Sequence, residues 1–230
     1  MSEAAPALRP LRVRALGRMA YREAWALQNA LVEAHHAGHG EDTVLLVEHP
    51  PVITLGRDAR HDHVLASAEA LAARGVEVVE TDRGGDATYH GPGQLVMYVV
   101  IDLKLQWRDI RRFVDALERT MIDTVADYGL SAGTRPKMPG VWLDAPDRKI
   151  GALGARVRRW VTNHGLALNV NTELRDFDLI VPCGLHGKGV TSLARELGRP
   201  VAWDEVAERA TRHLARALGR GLVARAEDTP

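Results

Sequence analysis

The 230-residue chain contains one cysteine, few aromatic residues and no excess of either charge. A single thiol cannot form an internal disulfide, so a disulfide-stabilised scaffold is excluded. Basic and acidic side chains each total 30, which gives a formal net charge of zero and no general attraction to polyanions. We therefore expect no nucleic acid and no membrane among its partners.

Targeting and nucleotide-binding motifs are also missing. The first residues, "MSEAAPALRP", lack a basic start followed by an apolar run, and no apolar stretch is long enough to span a bilayer. Together with the single thiol, this predicts a cytoplasmic protein. Neither the P-loop spacing nor a G-x-G-x-x-G that opens a helix occurs. We expect neither a cofactor nor a metal.

Strand and helix patterns alternate along the chain, without repeats or a long linker. Helical spacing predicts helices over residues 18–36, from the N-cap Asp109 to Gly129, and from Asp204 to about Leu218. The nearly continuous apolar run Leu95–Ile101 predicts a strand covered on both faces. Shorter strands are predicted in "TVLLVEHP", "PVITLG", "GVEVVETD", "GVWLD", "GALGARVRR" and "HGLALNV", with a short helix in "ASAEALAAR". The fold class is α/β (α+β), with a mixed sheet flanked by helices.

A glycine-rich segment, Thr81–Gln94, lies between two of these strands. Its four glycines allow the backbone to approach a ligand closely, while Arg83 and His90 supply charge and hydrogen bonds. We interpret the segment as an irregular ligand-binding loop. A wide hairpin connection without function is the alternative.

The only cysteine, Cys183, lies in "DLIVPCGLHGKGVTSL". A lone cysteine is most often a small buried hydrophobe. Its neighbours Pro182 and Gly184 exclude a helix interior, however, and nucleophiles commonly lie on such turns. A thiol with a pKa of about 8.5 needs a cation or base nearby to react at neutral pH. The candidates are Lys149, His90 and Lys188.

Lys149 begins a strand that runs into small residues at positions 151, 152 and 154, which leaves room for a ligand. An ordinary surface lysine is the alternative. The histidine pairs His35/His39 and His61/His63 lack a third ligand, so they do not predict a metal site. The basic stretch "RVRRW" at 156–160 alternates as a solvated strand face would.

Six motifs together resemble the lipoyl(octanoyl) transferase family, which comprises octanoyl-[acyl-carrier-protein]:protein N-octanoyltransferases. They are "EHPPVITLGR", "RGGDATYHGPGQLVMYVVIDL", "GVWL", "RKIGALG", "NHGLALNV" and "IVPCGLHGKGVTSL". The resemblance covers about residues 12–218. It implies a single catalytic domain over 1–230, with the fold of biotin and lipoate protein ligases.

The resemblance also assigns roles to individual residues. It makes Cys183 the acyl-accepting nucleophile and Lys149 its acid/base partner. Asp86 departs from the family pattern, which more often has a neutral or basic residue there. The implied substrate-binding residues are Arg83, Gly84, Gly85, Asp86, Ala87, Thr88, Tyr89, His90, Ala152, Leu153, Gly154, Gly165, Leu166 and Ala167.

The implied reaction moves an octanoyl group from octanoyl-acyl carrier protein to a lysine ε-amine on lipoyl domains, as the first step of endogenous lipoate biosynthesis. The expected acceptors are 2-oxoacid dehydrogenase complexes and the glycine cleavage H protein. Thioester exchange onto a cysteine conserves the energy of the bond, so no ATP is expected. An apolar slot that buries seven carbon groups would contribute roughly 5 kcal/mol before ordering costs.

Two other functions remain open on the sequence. An ATP-dependent lipoate or biotin protein ligase could use the same fold, and a non-catalytic module could keep only the acyl pocket. The oxyanion donors also stay open among the backbone N–H groups at Cys183 and Gly184, His90 and the glycine-rich loop.

Overall fold

The computed structural model describes residues 8–144, 146–181 and 189–223. Within them the helices are α1 (Tyr21–His36), α2 (Ala68–Ala73), α3 (Ile110–Ala126), α4 (Leu193–Leu197) and α5 (Trp203–Leu218). The strands are β1 (Arg9–Arg18), β2 (Thr43–Glu48), β3 (Val52–Leu55), β4 (Glu77–Glu80), β5 (Ala87–His90), β6 (Gln94–Val100), β7 (Ala132–Arg135), β8 (Met138–Leu143), β9 (Arg148–Arg158), β10 (Val161–Asn169), β11 (Gly189–Val190) and β12 (Arg220–Val223). Among the helices of this described part, none is long and apolar enough to cross a membrane.

Nine of these strands form one mixed sheet, in the order β12-β1-β2-β6-β10-β9-β8-β7 with β11 beside β9. Strand β1 runs parallel to both of its neighbours, and β11 runs parallel to β9, whereas the other pairs are antiparallel. A smaller sheet has the order β4-β3-β5. The predicted mixed sheet with flanking helices is confirmed.

Strand β6 lies inside the large sheet, and all of its residues are buried. Leu95, Met97 and Val99 pack into the main core, which includes residues of α3 and α5. Val96 and Tyr98 point to the opposite face and pack against α1. This period-two alternation, with both faces covered, explains the continuous apolar run and confirms the predicted central strand.

Two predicted helix starts have different outcomes. Helix α3 begins as expected, because the Asp109 carboxylate accepts a hydrogen bond from the Arg112 backbone N–H at 3.0 Å. Helix α1 begins at Tyr21 instead of residue 18, because β1 continues to Arg18, where it pairs with Glu48. Strand β1 itself was not predicted.

The glycine-rich segment 81–94 is not irregular throughout, and that prediction was wrong for its second half. Residues Ala87–His90 form β5, which pairs antiparallel with β3. Within β5, Ala87 and Tyr89 are buried in a core that also contains Leu71 of α2. Strand alternation therefore points Thr88 and His90 to the other side.

An ion pair buried among β1, β2 and β12 generates a test of the fold. Asp42 and Arg220 lie 2.7 Å apart, with side chains only 3% and 1% exposed. Asp42→Ala should lower the free energy of unfolding by about 3–5 kcal/mol, because it leaves a buried guanidinium without its carboxylate. Urea denaturation measures this change.

The neighbouring Glu41→Ala is the matched control. Glu41 is 64% exposed and pairs with Arg12 at the surface. Its loss should cost no more than about 1 kcal/mol. Equal costs for the two variants would show that Asp42 does not compensate a buried charge.

Candidate active site

A cavity of about 290 Å³ lies between the small sheet and the α1 side of the large sheet. This is near the lower end of the volumes of small-molecule sites, roughly 300–1,000 Å³. Its walls are Tyr21, Asp58, Arg83, Gly85, Asp86, Thr88, His90, Val96, Tyr98, Pro139, Ala152, Leu153, Gly154, His164, Gly165, Leu166 and Ala167. The three predicted substrate-binding segments therefore meet around one space.

Three residues of those segments do not line this cavity but lie behind its wall. The Tyr89 hydroxyl donates to Asp176 at 2.7 Å, and its ring packs in the core of the small sheet. Ala87 lies in the same core. The Gly84 backbone N–H donates to the Ala155 carbonyl at 3.1 Å. They shape the cavity from outside.

Lys149 lies in β9 at the end of a small extension of this space. That extension, of about 20 Å³, is lined by Lys149 and shares Thr88, Ala152 and Ala167 with the large cavity. Lys149 is 6% exposed, and its Nζ lies 4.8 Å from the centre of the Trp142 ring. The alternative of a surface lysine is therefore wrong.

The predicted nucleophile Cys183 lies outside the described residues, as do Gly184 and Lys188. The chain before that segment is held by the Val181 backbone N–H, which donates to the His63 carbonyl at 2.8 Å. After the segment, β11 pairs with the strand residues that include Lys149. The chain thus resumes directly beside the predicted partner of Cys183.

The sequence predicts that the small residues of β9 and β10 leave room for a ligand, but the structure gives a different reason for the glycines among them. A β-carbon at Gly154 would lie 2.8 Å from the Gly84 carbonyl oxygen, and one at Gly165 would lie 2.2 Å from that of Met97. A β-carbon at Gly151 would meet a methionine sulfur of α3 at 2.4 Å. Protein atoms, not ligand, occupy the space beside these glycines.

Two alanines, unlike these glycines, leave space for a ligand. Ala152 and Ala167 are cross-strand partners in β9 and β10, and both line the large cavity. Their neighbours Leu153 and Leu166 pack into the main core on the opposite face of the sheet. At these two positions the cavity side of the strands therefore carries only methyl groups.

Arg83 holds the loop between β4 and β5 in place. Its guanidinium donates to the carbonyl and hydroxyl oxygens of Thr54 and to the carbonyls of Gly84 and Asp86, at 2.6–3.1 Å. The Asp86 carboxylate lies 2.6 Å from His63. The Arg83 and Asp86 side chains are therefore both bound by protein groups at the cavity wall.

Three buried histidines, His49, His90 and His164, surround the aromatic end of the cavity. Burial lowers the pKa of His49 to about 4. Burial, with the positive charge of Arg83 as a smaller cause, lowers the pKa of His90 and of His164 to about 3. All three are neutral at neutral pH, so His90 is not the cation that a reactive thiol requires.

His164 is a cavity residue that the sequence did not reveal. It has a φ of 60° inside β10, a left-handed conformation that costs energy in a non-glycine residue. Its Nε2 donates to Asp82 at 2.8 Å, and its backbone N–H donates to Gln28 at 3.0 Å. Its Nδ1 is buried without a hydrogen-bond partner among the described residues. A polar residue before Gly165 in an apolar strand was the available sign.

Metal ligation is not indicated by the side chains described. Within residues 8–144, 146–181 and 189–223, no three histidine, cysteine or acidic side chains form a group that could hold a metal ion. Of the histidines considered above, His35 has its Nε2 3.2 Å from the Glu41 carbonyl, and His63 contacts Asp86.

Comparison with known proteins adds sequence relatives. A family model described as the lipoyl protein ligase A/B catalytic domain matches residues 20–215. An octanoyltransferase of Myxococcus xanthus is 51% identical over 197 residues, 84% of this chain and 55% of that protein, so the chain spans little more than half of that relative's length. An octanoyltransferase of Roseiflexus sp. (strain RS-1) is 50% identical over 208 residues, 90% of this chain and 87% of that protein.

Solved structures show the same fold at low identity. A bipartite lipoate protein ligase from Thermoplasma acidophilum matches with a TM-score of 0.69 at 15% identity, over 95% of this chain and 88% of that one. A lipoate-protein ligase A bound with ATP matches with a TM-score of 0.73 at 17% identity, over 93% and 89%. The biotin protein ligase of Aquifex aeolicus matches with a TM-score of 0.53 at 11% identity, over 91% and 70%.

The three neutral histidines predict how stability depends on pH. Their pKa values in the folded protein lie below the unfolded value of about 6.5, so the unfolded chain binds more protons below that pH. Their contribution is complete above about pH 6.5 and is lost as the pH falls toward about 4 for His49 and about 3 for His90 and His164. The free energy of unfolding should decrease with a slope approaching about 4 kcal/mol per pH unit near pH 5.

Urea denaturation of two histidine variants between pH 7.5 and 4.5 tests this. His49→Gln should reduce the slope by about a third, because one of the three proton-binding groups is removed. His61→Gln is the control, since His61 is 84% exposed and should leave the slope unchanged. Equal slopes in wild type and His49→Gln would contradict the assignment.

Proposed function

The chain belongs to the family of lipoyl protein ligase A/B catalytic domains and, within it, to the octanoyltransferases, which are acyltransferases, and on this premise we propose that it octanoylates lipoyl domains. The donor is octanoyl-acyl carrier protein, and the acceptor is the ε-amine of a specific lysine. The observation that carries this proposal is the buried Lys149, which lines the small space adjoining the large cavity and lies beside the strand that follows the Cys183 segment.

The first half-reaction is thioester exchange. The Cys183 thiol gives its proton to the Lys149 amine, and the resulting thiolate attacks the carbonyl carbon of the donor thioester. A carbon–sulfur bond to Cys183 forms, and the bond to the carrier sulfur breaks. The departing carrier thiolate takes the proton back from Lys149. One thioester replaces another, and no ATP is consumed.

The second half-reaction is aminolysis. The neutral ε-amine of the acceptor lysine attacks the octanoyl carbonyl, so a carbon–nitrogen bond forms and the bond to Cys183 breaks. The proton lost by the amine passes through Lys149 to the Cys183 thiolate, which restores the free enzyme. Because the acyl group waits on the enzyme, two large protein partners need not bind together.

The large cavity is the proposed site of the octanoyl chain. Ala152, Ala167 and Val96 supply apolar wall next to the end that reaches Lys149. Burying seven carbon groups there at about 0.8 kcal/mol each gives roughly 5 kcal/mol, before the chain is ordered. That is sufficient to discriminate between acyl chains of different length.

The acceptors we propose are the lipoyl domains of 2-oxoacid dehydrogenase complexes and the glycine cleavage H protein. A nucleophilic cysteine must stay reduced, which suits the cytoplasm. We propose no metal and no cofactor for the reaction.

The rival function is an ATP-dependent lipoate or biotin protein ligase. Solved ligases share the fold, one of them with bound ATP, but at 17% identity or less in the comparisons above. The octanoyltransferases reach 50–51% identity over most of the chain. A ligase that activates a free acid has no use for Cys183, so the thiol distinguishes the two reactions.

We expect a covalent intermediate on Cys183. Protein incubated with octanoyl-acyl carrier protein, without ATP or acceptor, should gain the mass of one octanoyl group, which neutral hydroxylamine removes. Adding a lipoyl domain should move that mass to the domain's lysine with ping-pong kinetics. Intact-mass spectrometry follows both steps.

Cys183→Ala is the decisive variant, because the chain has no other cysteine. It should form no adduct and transfer nothing, while its melting temperature stays close to that of the wild type. Transfer at the wild-type rate by this variant, or a requirement for ATP, would contradict the mechanism and favour the ligase.

Lys149→Ala should slow alkylation of Cys183 at neutral pH, because removing a nearby amine raises the pKa of the thiol. Iodoacetamide labelling between pH 6 and 10 measures that pKa. Lys104→Ala is the matched control, since Lys104 is exposed and pairs with Asp102. Identical labelling profiles for both variants would remove Lys149 from the proposed pair.

A further inference from the structure

A chain of buried polar groups connects the large cavity to the strand that carries Lys149. The His90 Nδ1 lies 2.6 Å from Gln94 Oε1, Gln94 Nε2 donates to Asn169 Oδ1 at 2.9 Å, and Asn169 Nδ2 donates to the Thr191 carbonyl at 2.9 Å. The Thr191 backbone N–H donates to the Lys149 carbonyl at 2.9 Å. His90, Gln94, Asn169 and Thr191 are all at most 6% exposed.

The direction of each hydrogen bond in this series is determined by the Thr191 carbonyl at one end. The Thr191 carbonyl can only accept, so the Asn169 amide must point its NH₂ group at Thr191 and its oxygen at Gln94. Gln94 then donates to Asn169, and its second amide hydrogen goes to the Tyr89 carbonyl at 3.2 Å. Flipping the Gln94 amide would set its oxygen against the Tyr89 carbonyl and the Asn169 oxygen and would break both of these hydrogen bonds.

These hydrogen-bond directions determine the protonation of His90. The Gln94 oxygen can only accept, so the His90 Nδ1 carries the hydrogen. Because the imidazole is neutral, Nε2 carries a lone pair. The ring lines the large cavity and stacks on Tyr21, with centroids 6.1 Å apart and planes at 11°. His90 is therefore a hydrogen-bond acceptor toward the cavity, which excludes it as an oxyanion donor.

The reacting groups differ in what they can offer to such an acceptor. The thioester carbonyl oxygen and sulfur are themselves acceptors, and the octanoyl chain has no polar hydrogen. The amine that enters in the second half-reaction does carry N–H groups. A neutral acceptor also suits it, because Arg83 contributes a buried positive charge nearby that would oppose a second cation.

We propose that Gln94 and Asn169 are positioning residues which hold His90 as its Nδ1–H tautomer, so that His90 Nε2 accepts a hydrogen bond from the attacking amine of the acceptor lysine. This inference rests on the proposed function. The hydrogen bond orients the nitrogen lone pair toward the thioester carbon, and the proton itself leaves by way of Lys149.

The test combines a spectroscopic measurement with separate rates for the two half-reactions. Nitrogen-15 correlation spectra of the histidine rings should show protonated Nδ1 and unprotonated Nε2 for His90 in the wild-type protein at neutral pH. Gln94→Met keeps the shape of the side chain but removes its hydrogen bonds, so the two tautomers of His90 should become mixed.

In the same variant, transfer from purified octanoyl-enzyme to a lipoyl domain should slow about tenfold, as expected for the loss of one oriented hydrogen bond. Loading from octanoyl-acyl carrier protein should stay within about twofold of the wild-type rate. Gln106→Met is the matched control, because that glutamine bonds the Leu218 carbonyl outside the network, and it should change neither rate.

Asn169→Leu provides a second variant, one hydrogen bond farther from His90. It should mix the tautomers of His90 and slow transfer to the lipoyl domain, but less than Gln94→Met does. A wild-type His90 protonated on Nε2, or equal slowing of loading and transfer in Gln94→Met, would overturn the proposal. If the wild-type protein transfers no octanoyl group at all, the proposed function is wrong. The acceptor amine is then not the group that His90 binds. The ring spectra still decide the tautomer in that case.

Discussion

The cavity exists because one buried guanidinium holds a loop against a strand that has no side chain at the contact. Arg83 binds Thr54 of β3 and the carbonyls of its own loop, and the loop rests on β9 where Gly154 admits the Gly84 carbonyl. The small sheet is thereby fixed across from the large one, with a gap between them. This contact therefore positions the loop that forms one wall of the cavity.

The same guanidinium affects the electrostatics of the gap. It is a buried positive charge that opposes protonation of His90 and His164, which are already kept neutral by burial. The histidines at the aromatic end of the cavity are therefore uncharged. Lys149, whose amine lies near the Trp142 ring, lines the small space that shares three wall residues with the cavity. The site thus combines neutral hydrogen-bond acceptors with an amine in the adjoining space.

Sequence patterns predicted the elements whose cause is local. The N-cap Asp109 and the apolar run of β6 depend on neighbours within a few residues, and both predictions were confirmed. Strand β5 was missed because its pairing with β3 is set by residues more than thirty positions away. The left-handed His164 was missed because its backbone conformation depends on contacts with Gln28 and Asp82.

The segments that surround the cavity could be picked out as sequence motifs, but their arrangement in space could not. The motifs identified Lys149 and the three segments that surround the cavity, and the structure brings most of them together. They did not reveal that Gly154 and Gly165 make room for backbone carbonyl groups of the protein itself. The sequence around a glycine does not show which atoms lie next to it in space. The tautomer of His90 likewise depends on the side-chain amides of Gln94 in β6 and Asn169 in β10 and on the Thr191 carbonyl.

Thr88, Ala152 and Ala167 line both the main cavity and the small space at Lys149. Tyr21 and Tyr98, in contrast, line only the main cavity. Under the proposed function, substitutions around the tyrosines would alter the fit of the acyl chain and leave the residues beside the lysine unchanged. The selectivity for the acyl chain and the reactivity of the catalytic pair can then change independently in evolution, although the two spaces share part of their walls.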